Sequence, residues 1–271
     1  MFVLAAAGVA FMLWRGRKQP APAIPPPIAR PTTPAPPPPL PPRAAPSPAA
    51  PAIAHPLGPA AAGEALPEVD GSDGFFRSAL GELVGKKSVA SFLMLDGFAR
   101  RVVVTVNNLD GDTPAAQMWP VNRTPGRPLV DVGSAGSHLA TGNAARYAAF
   151  VRFAESIDAA RAAALYRRSY PLLQRAYEDL GFSGKYFNDR VVAVIDHLLA
   201  TPDLPGPIAV KRAEVAGAPA SGTAGGLYLF QDPALEARSA GQKILLRVGR
   251  DHAARLKAKL TEFRRLVAKG P

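Results

Sequence analysis

From Ser72 to Val267 apolar positions recur mostly at the three-and-four spacing of helices that bury one face. Ser72-Asp73 reads as the cap of a short helix to Leu83, with Leu80, Leu83 and Val84 turned inward and Gly85 as its stop. A second helical stretch covers Ser88–Leu95. Arg100–Leu109 (RRVVVTVNNL) breaks the period, because a run of β-branched residues ahead of Asn107-Asn108 predicts a buried strand entering a turn. Residues 110–142, dense in Gly, Pro, Asp and Thr, read as a long loop with a strand at Leu129–Val132.

The strongest helical pattern follows. Asn143 starts a helix whose face holds Tyr147, Val151, Ala154 and Ile157 or Asp158. Another begins near Asp158, carries Leu165, Leu172 and Leu173 with Tyr166, Tyr170 and Tyr177, and stops at Gly181; Pro171 inside it predicts a kink or break at Tyr170. Lys185–Ala200 has Phe187, Val191, Val194 or Ile195, and Leu198 on one stripe. After a loop at residues 203–226 and a short strand at Leu227–Phe230, Asp232-Pro233 starts a helix to about Val248. Gly249 breaks it, Asp251 caps the last helix, and Leu256, Leu260, Phe263 and Val267 form its apolar stripe. The fold class expected is mainly α: a helical domain of about six helices with a few short strands.

Composition changes the picture at the N-terminus. Eighteen of the 30 prolines fall between Pro20 and Pro59 of this 271-residue chain. Proline fixes φ and lacks an amide donor, so this stretch reads as polyproline II and loose coil. Ahead of it, Phe2–Trp14 is uncharged and apolar, then Arg15-Gly16-Arg17-Lys18 follows. A helix of that length covers about 20 Å, short of a hydrocarbon core of about 30 Å, so spanning requires snorkelling by Arg15 and Arg17 or apolar residues upstream of the present start. The expected organisation is an N-terminal apolar helix with a basic flank as membrane anchor (1–19), a disordered proline-rich linker (20–65) and a helical globular domain (66–271).

Charge is just as uneven. The formal net charge is +11, yet residues 66–242 carry equal numbers of acidic and basic side chains, and the excess of the globular part lies from Lys243 onward. Without cysteine there are no disulfides, thiolate metal sites or cysteine nucleophiles, and four scattered histidines offer no metal cluster. No catalytic, cofactor-binding or metal-ligating residues are assigned, and no cofactor is expected.

Two surfaces remain as candidates for interaction. Tyr166, Tyr170 and Tyr177 share a helical face beside Arg167, Arg168 and Arg175, suited to stacking and charge; the competing reading is core, with Asp189, Arg190 and Glu178 as hydroxyl partners. Arg255, Lys257, Lys259, Arg264, Arg265 and Lys269 surround the last apolar stripe, suited to anionic headgroups or another polyanion, against a solvated face on a core-packed helix. Asp189 and Asp196 on one helix face suggest a carboxylate-dependent hydrolase more weakly, since Asp196 and His197 point about 100° apart. Ser239–Lys243 lacks the spacing of a phosphate loop, and Gly241 there reads as a close-packing glycine.

RRVVVTVNNL, NAARYAAFV, LYRRSYPLLQRAYEDLGF, YFNDRVVAVIDHLLATP and DPALEARSAGQKILLRVG together resemble the bacterial domain of unknown function numbered 3014, over about Leu66 to Val267. The resemblance implies an apolar anchor, a proline-rich stretch and then this domain, and it implies no catalytic residues. The chain departs from the family's pattern at Asn107-Asn108, where Asp-Asn is usual, and in its short anchor.

These features point to a single-pass protein of the bacterial inner membrane, held by Phe2 to Trp14, that presents a helical interaction domain to a protein or cell-envelope partner. The arm and the family layout favour the periplasm and disfavour nucleic acid. The Arg15–Lys18 cluster argues the opposite by the positive-inside rule. In that case the alternative is a cytoplasmic-facing module binding a polyanion or nucleic acid through its basic last helix.

Overall fold

The computed structural model describes residues 52–58, 65–134, 136–213 and 228–268. The expected anchor, the arm up to residue 51 and Lys269 lie outside these residues. No helix among them is long and apolar enough to cross a membrane.

Nine α-helices and one four-stranded sheet are present among the described residues: α1 (Asp73–Val84), α2 (Lys86–Phe92), α3 (Phe98–Asn108), β1 (Val130–Gly133), β2 (Gly136–Leu139), α4 (Ala148–Ser156), α5 (Ala159–Asp179), α6 (Phe187–Leu199), β3 (Ala209–Arg212), β4 (Tyr228–Phe230), α7 (Pro233–Glu236), α8 (Ala240–Arg247) and α9 (Arg250–Val267). The fold is mainly α, as expected. Helices α3, α6 and α9 pack about the long α5, and one apolar core runs through them, including Val103, Ala163, Phe187, Ile195 and Phe263. The stripe of α9 faces inward as its spacing predicts, with Leu256, Leu260, Phe263 and Val267 all buried. Each such side chain is worth roughly 1.5–3 kcal/mol of transfer free energy.

The main correction concerns Arg100–Leu109, a helix and not a strand. Read at helical spacing, Ala99, Val102, Val103 and Val106 form one buried face, and packing against α5 outweighs the β-preference of valine. The helix start is fixed from far away in sequence. Gly97 adopts φ 63, and the Asp73 carboxylate accepts the amides of Gly97 (2.9 Å) and Phe98 (3.1 Å). Second, α5 runs without a break through Pro171, which lies on its exposed side while the neighbouring Leu172 and Leu173 are buried. Third, the helix expected from Asp232 to Val248 is two. Asp232 caps α7 through the Ala234 amide (2.8 Å), and Ser239 caps α8 through the Gln242 amide (3.2 Å). The last helix follows Gly249 directly, with Asp251 inside its first turn and no side-chain cap. The helix expected at Asn143 begins as a 3-10 turn, Thr141–Tyr147, before α4.

The strands expected near residues 129 and 228 are β1 and β4; β2 and β3 lie in stretches read as loop. All pairs are antiparallel, in the order β1-β2-β3-β4, with Val130 opposite Leu139, Ser137 opposite Val210 and Val210 opposite Phe230. A small second core of Val210, Phe230 and Leu246 joins this sheet to α8. Arg247 lies 4.2 Å over the Phe230 ring, and burial pushes its guanidinium down to about 10 against the opposing pull of Glu236.

Candidate functional site

The turn between α5 and α6 builds the best-defined polar site. Gln174 on α5 clasps it: Nε2 donates to the Lys185 carbonyl (2.8 Å) and Oε1 accepts the Phe187 amide (2.8 Å). That places Tyr186, Asn188 and Asp189 at the start of α6. Asn188 is fully buried and uses its whole amide group. Its Oδ1 accepts from the Tyr166 hydroxyl (3.1 Å), and its Nδ2 donates to the carbonyls of Val267 (2.8 Å) and His55 (2.8 Å). Its backbone amide donates to the Tyr170 hydroxyl (3.2 Å), which in turn donates to Gln174 Oε1 (2.8 Å).

Across this site lies a stretch of chain, residues 52–58, that bends at Ala54 and His55. The Asp189 carboxylate accepts the amides of Ala54 (3.0 Å) and His55 (2.7 Å), and the Tyr186 hydroxyl accepts that of Leu57 (3.1 Å). With the Asn188–His55 bond, all four hydrogen bonds go to main-chain atoms of the segment. Leu57 and His55 are half-buried; Ala52, Ile53, Ala54 and Pro56 are exposed. Beyond Ala52 and Ile53 an open cleft of about 700 Å³ is lined by Asn107, Tyr177, Phe182 and Tyr186. Tyr177 and Phe182 stack there at 4.5 Å. Arg190 fixes the cleft to α3 through a two-pronged ion pair with Asp110 (2.7 and 2.5 Å) and a bond to the Asn107 carbonyl (2.7 Å).

The tyrosine ladder therefore divides. Tyr166 and Tyr177 are core, and Tyr170 is half-buried under the site. Asn188 and Gln174, not Asp189 or Glu178, satisfy the hydroxyls of Tyr166 and Tyr170. Burial raises the Tyr166, Tyr170 and Tyr177 hydroxyls above their usual range, Tyr166 well above it, so all three stay neutral donors at physiological pH. Above about pH 10 unfolded tyrosines ionise while these hold their protons, so stability is expected to fall as pH rises past that point. In denaturant titrations between pH 8 and 11, Tyr166→Phe should lose stability less steeply than the parent; an equal slope would mean that Tyr166 is not sealed from solvent.

The cations of the last helix are engaged. Arg255 pairs with Glu155, whose carboxyl it holds below the usual range; Lys257 donates to the Thr201 carbonyl; Lys259 pairs with Glu262 (2.6 Å); Arg264 pairs with Asp196. Arg265 is exposed. Most of the charge read as a basic face is thus spent on neighbours, in half-exposed pairs that are each worth little.

The remaining candidates are structural. Asp189 holds peptide amides and Asp196 an arginine, and the cleft beside Asp189 does not include Asp196. His197 Nε2 lies 2.8 Å from Ser239 Oγ, a nucleophile–base distance, but the first-turn amides of α8 are all committed: Ala240 to the Gly111 carbonyl (2.7 Å), Gly241 to that of Leu109 (2.8 Å), Gln242 to Ser239. No amide there is left to hold an oxyanion or a phosphate. Among the described residues no three acidic or histidine side chains gather to hold a metal ion.

Sequence reasoning found Asp189 and the tyrosines but missed Gln174, Tyr186, the hub role of Asn188 and the docked segment. Gly181 and Gly184 flanking a turn, followed by Tyr186-Phe187-Asn188-Asp189, were the available signal. The family described as protein of unknown function (DUF3014) matches residues 98–264, more than half of the chain and all of α3 to most of α9. No curated protein and no solved structure matches.

Proposed function

We propose, from the premise that the chain belongs to the DUF3014 family and inherits no assigned activity, that it is a non-enzymatic, membrane-anchored envelope protein whose helical domain serves as an interaction module. The observation that carries this is the groove at the start of α6, whose side chains hold a bent stretch of polypeptide by four hydrogen bonds to its main chain. Asp189 is spent on peptide amides there and Asp196 on Arg264, an arrangement suited to binding and not to proton transfer. Phe2 to Trp14 is the anchor in this reading and the proline-rich stretch is the spacer, about 3.1 Å per residue where extended. The domain faces the periplasm. The polyanion reading has less support, since the α9 cations are paired.

The test is membrane topology, read by a C-terminal reporter enzyme that is active only outside the cytoplasm. Activity in the membrane fraction is the expected result. An inactive reporter that regains activity on lysis would place the domain in the cytoplasm, and binding through Arg265 and its neighbours would then lead.

A further inference from the structure

The segment in the groove shows what the groove recognises. Four hydrogen bonds reach main-chain atoms, and to that extent the sequence requirement is indirect: two successive residues with free amides for Asp189, then a proline, then an apolar residue whose amide meets Tyr186. Here these are Ala54, His55, Pro56 and Leu57, and Leu57 packs against the main core. A near-copy of the segment occurs earlier in the chain. Ala50–Leu57 reads APAIAHPL and Ala21–Ile28 reads APAIPPPI. The near-copy puts Pro25 and Pro26 where Ala54 and His55 stand, so it offers Asp189 no amide at all. The groove thus discriminates within the chain's own arm, by donors and not by shape.

The hold on the resident segment is modest. Five of its seven residues are exposed, Ile53 by 52 %. Only Leu57 and His55 bury much surface. The cleft beside Ala52 and Ile53 extends past what they fill. Only six residues of sequence separate Gly58 from Ala65, and a tether that short sets a local concentration on the order of millimolar, which adds to the hydrogen bonds in keeping the segment in place. Any chain presenting the same chemistry at sufficient affinity or concentration displaces it.

We propose that the groove formed by Tyr186, Asn188 and Asp189 is a peptide-recognition site for a partner protein's segment of the form X-X-Pro-Leu, bent at its first two residues and preceded by small and proline residues, and that residues 52–57 are its built-in competitor. This rests on the interaction-module reading above but not on its topology. Binding in trans requires release of the cis segment, so the anchored arm is freed from the domain when the partner engages.

The probe is a fluorescent peptide of residues 51–58, PAIAHPLG, titrated against the full chain in mild detergent by anisotropy. In A54P/H55P, which removes the two amides from the resident segment, the peptide is expected to bind at least tenfold more tightly than in the parent. Adding Asp189→Asn to that variant should weaken binding at least tenfold, and a peptide of residues 22–29, PAIPPPIA, should not bind. L57A, which keeps both amides, should give an intermediate gain and serves if A54P/H55P does not fold. Equal affinity for parent and opened variants, or binding indifferent to Asp189→Asn, would overturn the proposal. So would a concentration-dependent dimer of the parent that A54P/H55P abolishes, because the groove would then exchange segments between copies. None of these outcomes depends on which side of the membrane the reporter finds, so the two readings fail separately.

Discussion

Gly241→Ala is expected to destabilise the domain by about 2 kcal/mol, measured by denaturant unfolding, although the same change in an open helix would stabilise it. Two effects oppose each other. Replacing glycine by alanine inside a helix gains up to about 1 kcal/mol from propensity alone. At Gly241, on α8, the new methyl would meet the Leu198 side chain of α6 and lie 2.8 Å from the Leu109 carbonyl oxygen. That oxygen already accepts the Gly241 amide at 2.8 Å, so it cannot retreat without lengthening the bond. Overpacking of this kind costs about 1–3 kcal/mol and occasionally more, and the contact with rigid backbone puts Gly241 at the upper end. Gly241→Val should exceed Gly241→Ala. Gly74→Ala on α1 is the control: it is exposed, nothing lies within 4 Å of the new methyl, and stability should hold or rise. If Gly241→Ala also raises stability, then α6 and α8 pack less closely than described.

Gly241 illustrates how much of this fold can be read from sequence. A glycine beside apolar residues, outside any phosphate-loop spacing, reads as a close-packing point, and the contact with α6 bears that out. The stripe of α9 is equally readable, because Leu256, Leu260, Phe263 and Val267 obey one period and all face the core. The failure at Arg100–Leu109 has an equally local cause. Its valines satisfy the pattern of a strand and of one helix face at once, and only the partner surface on α5, some sixty residues on, decides between them. Its start is likewise set by Asp73, beyond any local window. Pro171 misled in the opposite direction. A proline is a strong local breaker, yet on the exposed side of a helix buried at Leu172 and Leu173 tertiary packing holds the backbone through it.

The candidate site was legible only in pieces. Asp189 and the tyrosines stood out as residue types, but what joins them is Asn188, an uncharged side chain whose importance comes from three partners, one each in α5, α9 and the arm. No spacing rule links Asn188 to Val267 or His55. A proline-rich stretch also reads as linker throughout, and nothing in its composition separates Ala54-His55-Pro56-Leu57 from its neighbours until the groove supplies acceptors for two amides.

Asn188→Ala should therefore produce the second large effect, about 2–4 kcal/mol, and it should be felt in three places at once. The change leaves the Tyr166 hydroxyl and the Val267 carbonyl without their partner in a buried site, and each such loss costs about 1–3 kcal/mol. It also removes the donor to the His55 carbonyl. Tyr166→Phe separates these contributions, since it deletes the hydroxyl but keeps both donors of Asn188. The double variant should lose less than the sum of the singles, because the Tyr166–Asn188 bond is counted in both. Hydrogen exchange gives the local readout: in Asn188→Ala the amides of Ala54, His55 and Ala268 should exchange faster under native conditions, whereas in Tyr166→Phe they should exchange as in the parent. Strict additivity, or faster exchange at Ala54 and His55 in Tyr166→Phe as well, would show that the segment is held by general core stability and not by the Asn188–Asp189 pair. Faster exchange confined to Asn188→Ala would tie the seat of the arm, the end of α9 and the tyrosine floor to a single buried amide.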